Sequence, residues 1–236
     1  MEINLFFEPV NRQLVEKYLV SSQKRIVGQT EIYVQNDQFP DLDQKHIALI
    51  GVCEDRQAFQ NTGTAQAPDL IRSHFYKLFH HWPQVNIVDL GNIRQGHSIE
   101  DTYFALSQVV GELIKKKIIP VIIGGSQDLT YASYMAYENI GQLVNIVSVD
   151  PEFDLGGEED PLHSRSFLSK IIMHQPNFLF NFTNIGYQTH YIEYESVDLM
   201  KNLLFDVYRL GMLKSNMLEA EPIVRNADML SFDISS

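Results

Sequence analysis

The chain has 236 residues, of which 44% are hydrophobic and 20% charged, so disordered and fibrous classes are excluded and one substantial core is expected. Its formal charge of -12 would repel a polyanion, which excludes nucleic acid as a partner and favours small molecules and cations. A single cysteine, Cys53, rules out an intramolecular disulfide, and no apolar run approaches the roughly 18 residues needed to span a bilayer.

Residues 1–45 contain helical and extended pieces without a clear order and read as an N-terminal extension to an α/β domain over residues 46–236. Glu2, Glu8, Arg12, Glu16 and Lys17 stand where a signal peptide would be apolar, so a cytoplasmic location and no membrane partner are expected. Residues 46–52 (HIALIGV) form a short apolar run that predicts a buried strand. Ala67-Pro68-Asp69 then opens a helix expected to reach residue 79, with Pro68 in a first turn where its missing N–H is harmless. A strand is expected over 85–90. A long helix follows over 98–116, with Ser98 as N-cap and Asp101 completing an imperfect capping box.

The next strand, 118–123, stops at Gly124-Gly125, and a helix over 129–138 leads to a strand over 143–149. Beyond it the pattern predicts a helix over 166–173, strands over 177–186 and 205–210, a helix over 217–225 and a last strand over 228–234. Phe178, Phe180 and Phe182 alternate as one buried face of a strand would. Strands alternating with helices imply a three-layer α/β/α domain with a mostly parallel central sheet.

In such sheets ligands bind outside the carboxyl ends of the strands, where loops converge. Three strand ends here carry polar clusters: Gly124-Gly125-Ser126-Gln127-Asp128, Asp150-Pro151-Glu152-Phe153-Asp154 and Asp233-Ile234-Ser235. The glycine pair lacks the Lys-Ser/Thr of a phosphate loop and instead permits a tight turn that aims Gln127 and Asp128 at the sheet edge. Asp150, Glu152 and Asp154 crowd three carboxylates into one turn. That arrangement is costly unless a cation neutralises it; the alternative is a set of solvated loop acids and helix caps.

Taken in order, these features resemble the arginase, agmatinase and formiminoglutamase family. The resemblance rests on Ile50-Gly51-Val52, on residues 61–72 (NTGTAQAPDLIR), on the glycine pair, on the Asp-x-x-x-Asp turn and on the Ser-Phe-Asp strand end. Glu54-Asp55-Arg56 leans toward the formiminoglutamase branch. The resemblance implies a manganese-dependent hydrolase in which metal-activated water attacks an amidine or guanidine carbon. It also implies ligands from Gly-Gly-Asp-His-Ser, Asp-Ala-His-x-Asp and Ser-x-Asp-x-Asp.

Position by position, Asp150, Asp154 and Asp233 are kept, whereas Gln127, Glu152 and Ser235 replace a His, a His and an Asp. The charge of the set is unchanged, but every donor is now oxygen, which suits a hard divalent ion such as Mn or Mg. One metal position keeps Asp150, Asp154 and Asp233 with Gln127 added; the other depends on Glu152 and the weak ligand Ser235. Asp128 is a candidate general base or extra ligand, and His163 lies near where arginases carry a proton-shuttling His. The alternative is a catalytically inactive binding or assembly protein. The family's sheet has one more strand inside it, followed by helices. The sequence is therefore expected to be part of a longer chain, or to have its open strand edges filled by another copy in a homo-oligomer.

Overall fold

The computed structural model describes residues 2–19, 24–34, 38–157 and 160–234. The chain divides into two compact units, Met1–Ser126 and Gln127–Ser236, each with its own sheet. Both are α/β with mostly parallel strands. The mostly parallel α/β architecture expected from the alternating pattern is present, with its strands in two sheets.

The first unit contains β1 (Phe7–Glu8), α1 (Arg12–Leu19), α2 (Ile26–Gln29), β2 (Glu31–Ile32), β3 (Ile47–Val52), α3 (Ala67–Phe75), β4 (Ile87–Ile93), α4 (Ile99–Lys115) and β5 (Ile119–Ile123). Strand β4 is its hub. It pairs with β3 in parallel, and both β1 (antiparallel) and β2 (parallel) add to its other edge. Strand β3 in turn pairs with β5, which ends the order β1-β4-β3-β5 with one edge that has no strand partner among the described residues. The N-terminal residues are therefore woven into the sheet, and Val10, Val15, Val27 and Val34 pack with Tyr76 as one apolar cluster.

Helix α3 stops at Phe75 because the chain beyond it is needed elsewhere: Tyr76 is buried and donates to Asp89 Oδ2 at 2.7 Å, and Phe79 bridges to Arg25. Strand β4 runs through Gly91 to Ile93, past the expected end at residue 90, because β1 pairs alongside it. Gly91 has φ +84°, and a Cβ there would lie 2.2 Å from the Glu8 carbonyl oxygen, so only glycine fits. Arg72 and Asp89 form a fully buried two-pronged ion pair at 2.8 and 2.9 Å. Helix α4 begins with a complete capping box: Asp101 N–H donates to Ser98 Oγ, and Ser98 N–H donates to Asp101 Oδ2. Its buried Leu106, Val109, Val110 and Leu113 follow the helical repeat.

The second unit contains α5 (Leu129–Ile140), β6 (Val144–Val149), α6 (Phe167–Met173), β7 (Leu179–Tyr187), α7 (Tyr194–Asn202), β8 (Asp206–Arg209), α8 (Leu210–Ser215), α9 (Ala220–Arg225) and β9 (Met229–Phe232). Its four strands are all parallel in the order β8-β7-β6-β9, so among the described residues β9 has one edge without a strand partner. The Phe178/Phe180/Phe182 face is not uniformly buried. The register between β6 and β7 slips at Phe180, and this bulge turns its ring outward to 70% exposure while Phe182 stays buried. Among the described residues no helix is long and apolar enough to cross a membrane.

Candidate metal centre of the second unit

The topology of the second sheet brings two of the sequence-predicted acids together. Val149 of β6 pairs with Phe232 of β9, so Asp150 and Asp233 are the next residues off two adjacent parallel strands. The backbone continues the ladder by one rung on each side, with Asp150 N–H donating to Ile185 O and Asp233 N–H to Val149 O, both at 3.0 Å. Asp154 closes the turn from β6 with φ +53°, a left-handed conformation that Asp tolerates better than most residues.

Asp150 is almost fully buried and is the focus of the site. Its Oδ1 accepts the Glu152 N–H at 2.8 Å, and its Oδ2 accepts the Gln127 side-chain amide at 2.7 Å. The Asp154 carboxyl also hydrogen-bonds to it. Burial pushes Asp150 up to about 6, and the nearby Asp233 charge adds to that rise against the pull of its hydrogen-bond donors. Asp154 is raised well above the usual carboxylate range, first by burial and then by Asp150, Glu152 and Asp233. The two carboxyls titrate as one pair that keeps a proton above the usual carboxylate range.

The other sequence-predicted residues are placed less simply. Gln127 offers its NH2 to Asp150, and this amide also lies 3.5 Å from Ser231 Oγ. The Glu152 carboxylate sits 3.3 Å from the Arg165 guanidinium, and its charge also acts on Asp154. Asp128 is buried at the start of α5, where its carbonyl accepts the Tyr131 N–H. His163 is built into its own loop: its Nδ1 accepts the Arg165 N–H at 3.1 Å and its Nε2 lies 3.5 Å from Asp160. Ser235 lies outside the described residues.

Among the described residues no three His, Cys, Asp or Glu side chains stand in the arrangement of a formed metal site. Their chemistry nonetheless fits a hard divalent cation. The Asp233 charge raises the proton affinity of Asp150 and Asp154, and a cation would take over the neutralisation that the shared proton now provides. Two cavities of the second unit lie elsewhere. One of about 280 Å³ is lined by Asn145, Asn181, Asp206 and Asn226, and one of about 370 Å³ by Tyr131, Lys170 and His174.

A different role falls to Glu54 and Arg56 in the first unit. Glu54 is fully buried just beyond β3. Burial alone would raise it, yet the Arg56 guanidinium and N–H hold it below the usual range. Arg56 also donates to the carbonyls of His97 and Ser98, pinning the entrance of α4 to the end of β3. Burial, first, and the Asp69 charge raise the Cys53 thiol, which makes it a poor nucleophile.

Residues 45–236 match the arginase family. The chain is 25% identical over 135 residues to a formimidoylglutamase of Staphylococcus haemolyticus (strain JCSC1435), covering 53% of this chain and 42% of that protein. It is 26% identical over 164 residues to the formimidoylglutamase of Lysinibacillus sphaericus (strain C3-41), covering 64% and 50%. The chain thus spans about half the length of the curated relatives it matches. The fold is similar to that of Trypanosoma cruzi formiminoglutamase solved with Mn2+, at a TM-score of 0.75 and 16% identity over 90% of this chain and 75% of that one. The formimidoylglutamase of Bacillus subtilis gives a TM-score of 0.71 at 17% identity, over 88% of this chain and 69% of that one. Sequence and fold agree, and the chain belongs to the arginase family.

Proposed function

We propose that this chain forms the metal-binding part of a formiminoglutamase-type hydrolase, acting on a C–N bond of a small linear amidine, formiminoglutamate-like or guanidino. In this reading one hard divalent cation, Mn2+ or Mg2+, binds at Asp150, Asp154 and Asp233, and a second position that would need Glu152 and Ser235 is not filled. The observation that carries it is the buried acid pair at the end of β6, with Asp150 raised to about 6 and Asp233 on the neighbouring strand end. A bound cation would lower the pKa of a water and polarise the substrate carbon. Asp150 would then anchor the site, held on one oxygen by Gln127 and on the other by the Glu152 N–H. Asp154 would release its proton as the cation bound. Asp128 and His163 are the proposed proton-handling groups.

A second reading has its own support. The Gln127 amide and the Glu152 carboxylate are engaged by Asp150 and Arg165, which suits a family member that keeps the fold as a binding or assembly protein. Metal analysis combined with assays for formamide, ammonia and urea release from formiminoglutamate, agmatine and arginine separates the two. One ion per chain with turnover of any of these supports the hydrolase. A bound ion without turnover in any divalent metal supports the binding protein, and two tightly held ions per chain would overturn the single-site assignment.

A further inference from the structure

Strand β7 contributes a residue that neither charge nor spacing singles out. Asn184 is fully buried and pairs in register with Ser148 of β6, one residue before the end of that strand. Its side-chain amide donates to the Glu152 carbonyl at 3.0 Å and to the Asp150 carbonyl at 3.4 Å. Its own carbonyl oxygen, Oδ1, is buried with no hydrogen-bond partner among the described residues.

The buried, unpartnered Oδ1 is a cost that Asn184 carries alongside the two hydrogen bonds its amide makes. A buried acceptor with no donor is destabilising, and an apolar side chain of similar size, such as Leu, would avoid that cost. What Asn supplies is a pair of donors to two carbonyls that bracket Pro151, a residue whose φ is already fixed by its ring. Asn184 thus ties the peptide planes before Pro151 and after Glu152, and the Gln188 N–H holds the Pro151 carbonyl between them at 2.9 Å, so the whole turn is fixed with the Glu152 N–H on Asp150 Oδ1 and Asp154 in its left-handed conformation.

We propose that Asn184 is the positioning residue of the acidic site: by tying the Asp150 and Glu152 carbonyls to β7 it holds the Asp150 and Asp154 carboxyls ready for a divalent cation. The proposal rests on the reading of that site as a cation site. Its partners are backbone atoms, so it acts through the turn and not on the cation.

Two variants test it. Asn184→Asp keeps the shape and removes the amide donors; Asn184→Leu keeps the branching at a somewhat larger volume and also removes the orphaned acceptor, so it decides the matter if the buried acid prevents folding. Metal-stripped protein is compared by hydrogen exchange, and Mn2+ affinity is measured by calorimetric titration with MnCl2. In Asn184→Leu the exchange of peptides covering residues 150–154 should quicken by about 10-fold or more while peptides from β3 and α4 are unchanged. Mn2+ affinity should fall on the order of 10- to 100-fold, the usual loss when a supporting hydrogen bond behind a ligand is removed. Unchanged exchange at 150–154, or Mn2+ binding equal to that of the parent, overturns the positioning role and leaves the cation site standing. If the parent protein binds no Mn2+ while Asn184→Leu still loosens 150–154, the cation reading fails and the tie to the turn stands.

Discussion

The shared proton between Asp150 and Asp154 gives the most informative perturbation, Asp154→Asn. Burial lifts Asp150 from 3.8 to about 6. At 1.36 kcal/mol per pKa unit this is on the order of 3 kcal/mol of differential stability. The sign follows from linkage. A carboxyl whose folded pKa is raised binds its proton more tightly folded than unfolded, so its contribution is present below the unfolded pKa and lost as pH rises through the folded one. Chelator-stripped protein should therefore lose on the order of 3 kcal/mol between pH 4 and 7, a fall in Tm of roughly 6–12 °C for a chain of this size. Asn at 154 can still donate to Asp150 but carries no proton to lose and no charge to repel it. The variant keeps the share of the slope that Asp150's own burial gives and loses only Asp154's share, so its stability should fall less steeply with pH and be higher at pH 7, by about 1–3 kcal/mol. Circular-dichroism melts in EDTA at four pH values measure both. A parent protein whose stability is flat or rises over this window, or a variant with the same slope, would refute the shared-proton argument.

Added MnCl2 should reverse that trend, because cation and proton compete for the same oxygens. At pH 7.5 and about 100 times Kd the melt should rise by about 2.7 kcal/mol, the gain should fade at pH 5, and Asp150→Asn should abolish it. In the first unit, Asp89→Asn leaves Arg72 charged and buried with one prong broken, so a loss of about 3–5 kcal/mol in urea titration is expected. Ser98→Ala removes the oxygen that receives the Asp101 N–H at the head of α4 and should cost about 1 kcal/mol in the same titration.

The buried parallel strands were legible because they are covered on most of both faces and the sequence shows predominantly apolar runs, as at 47–52 and 143–149. What escaped were elements decided by tertiary context. Residues 194–202 and 210–215 are short helices with mostly exposed faces and leave no strong periodicity. The expected helix at 217–225 is a 3-10 turn followed by α9. Pro222 has no N–H to continue a single ladder through that stretch. At the site, Asp150, Asp154 and Asp233 were readable as acids after apolar runs. Asn184 was not, because an amide inside a strand has no spacing that marks it. The turn of Glu152 toward Arg165 depends on a loop partner that no local pattern specifies.

Among the described residues β5 and β9 each carry one edge without a strand partner, and that has a consequence for this chain in solution. Ile119 and Val121 flank one edge, and Leu230 and Phe232 the other, all of them at least partly exposed. Short β9 has neither proline nor lysine to discourage an incoming strand, so two molecules that meet there can zip together. The net charge of -12 keeps molecules apart at long range, and that protection is ionic. Raising the salt should therefore turn a dispersed solution into one that scatters light in proportion to protein concentration, the opposite of salting-in, while Leu230→Lys should keep it clear.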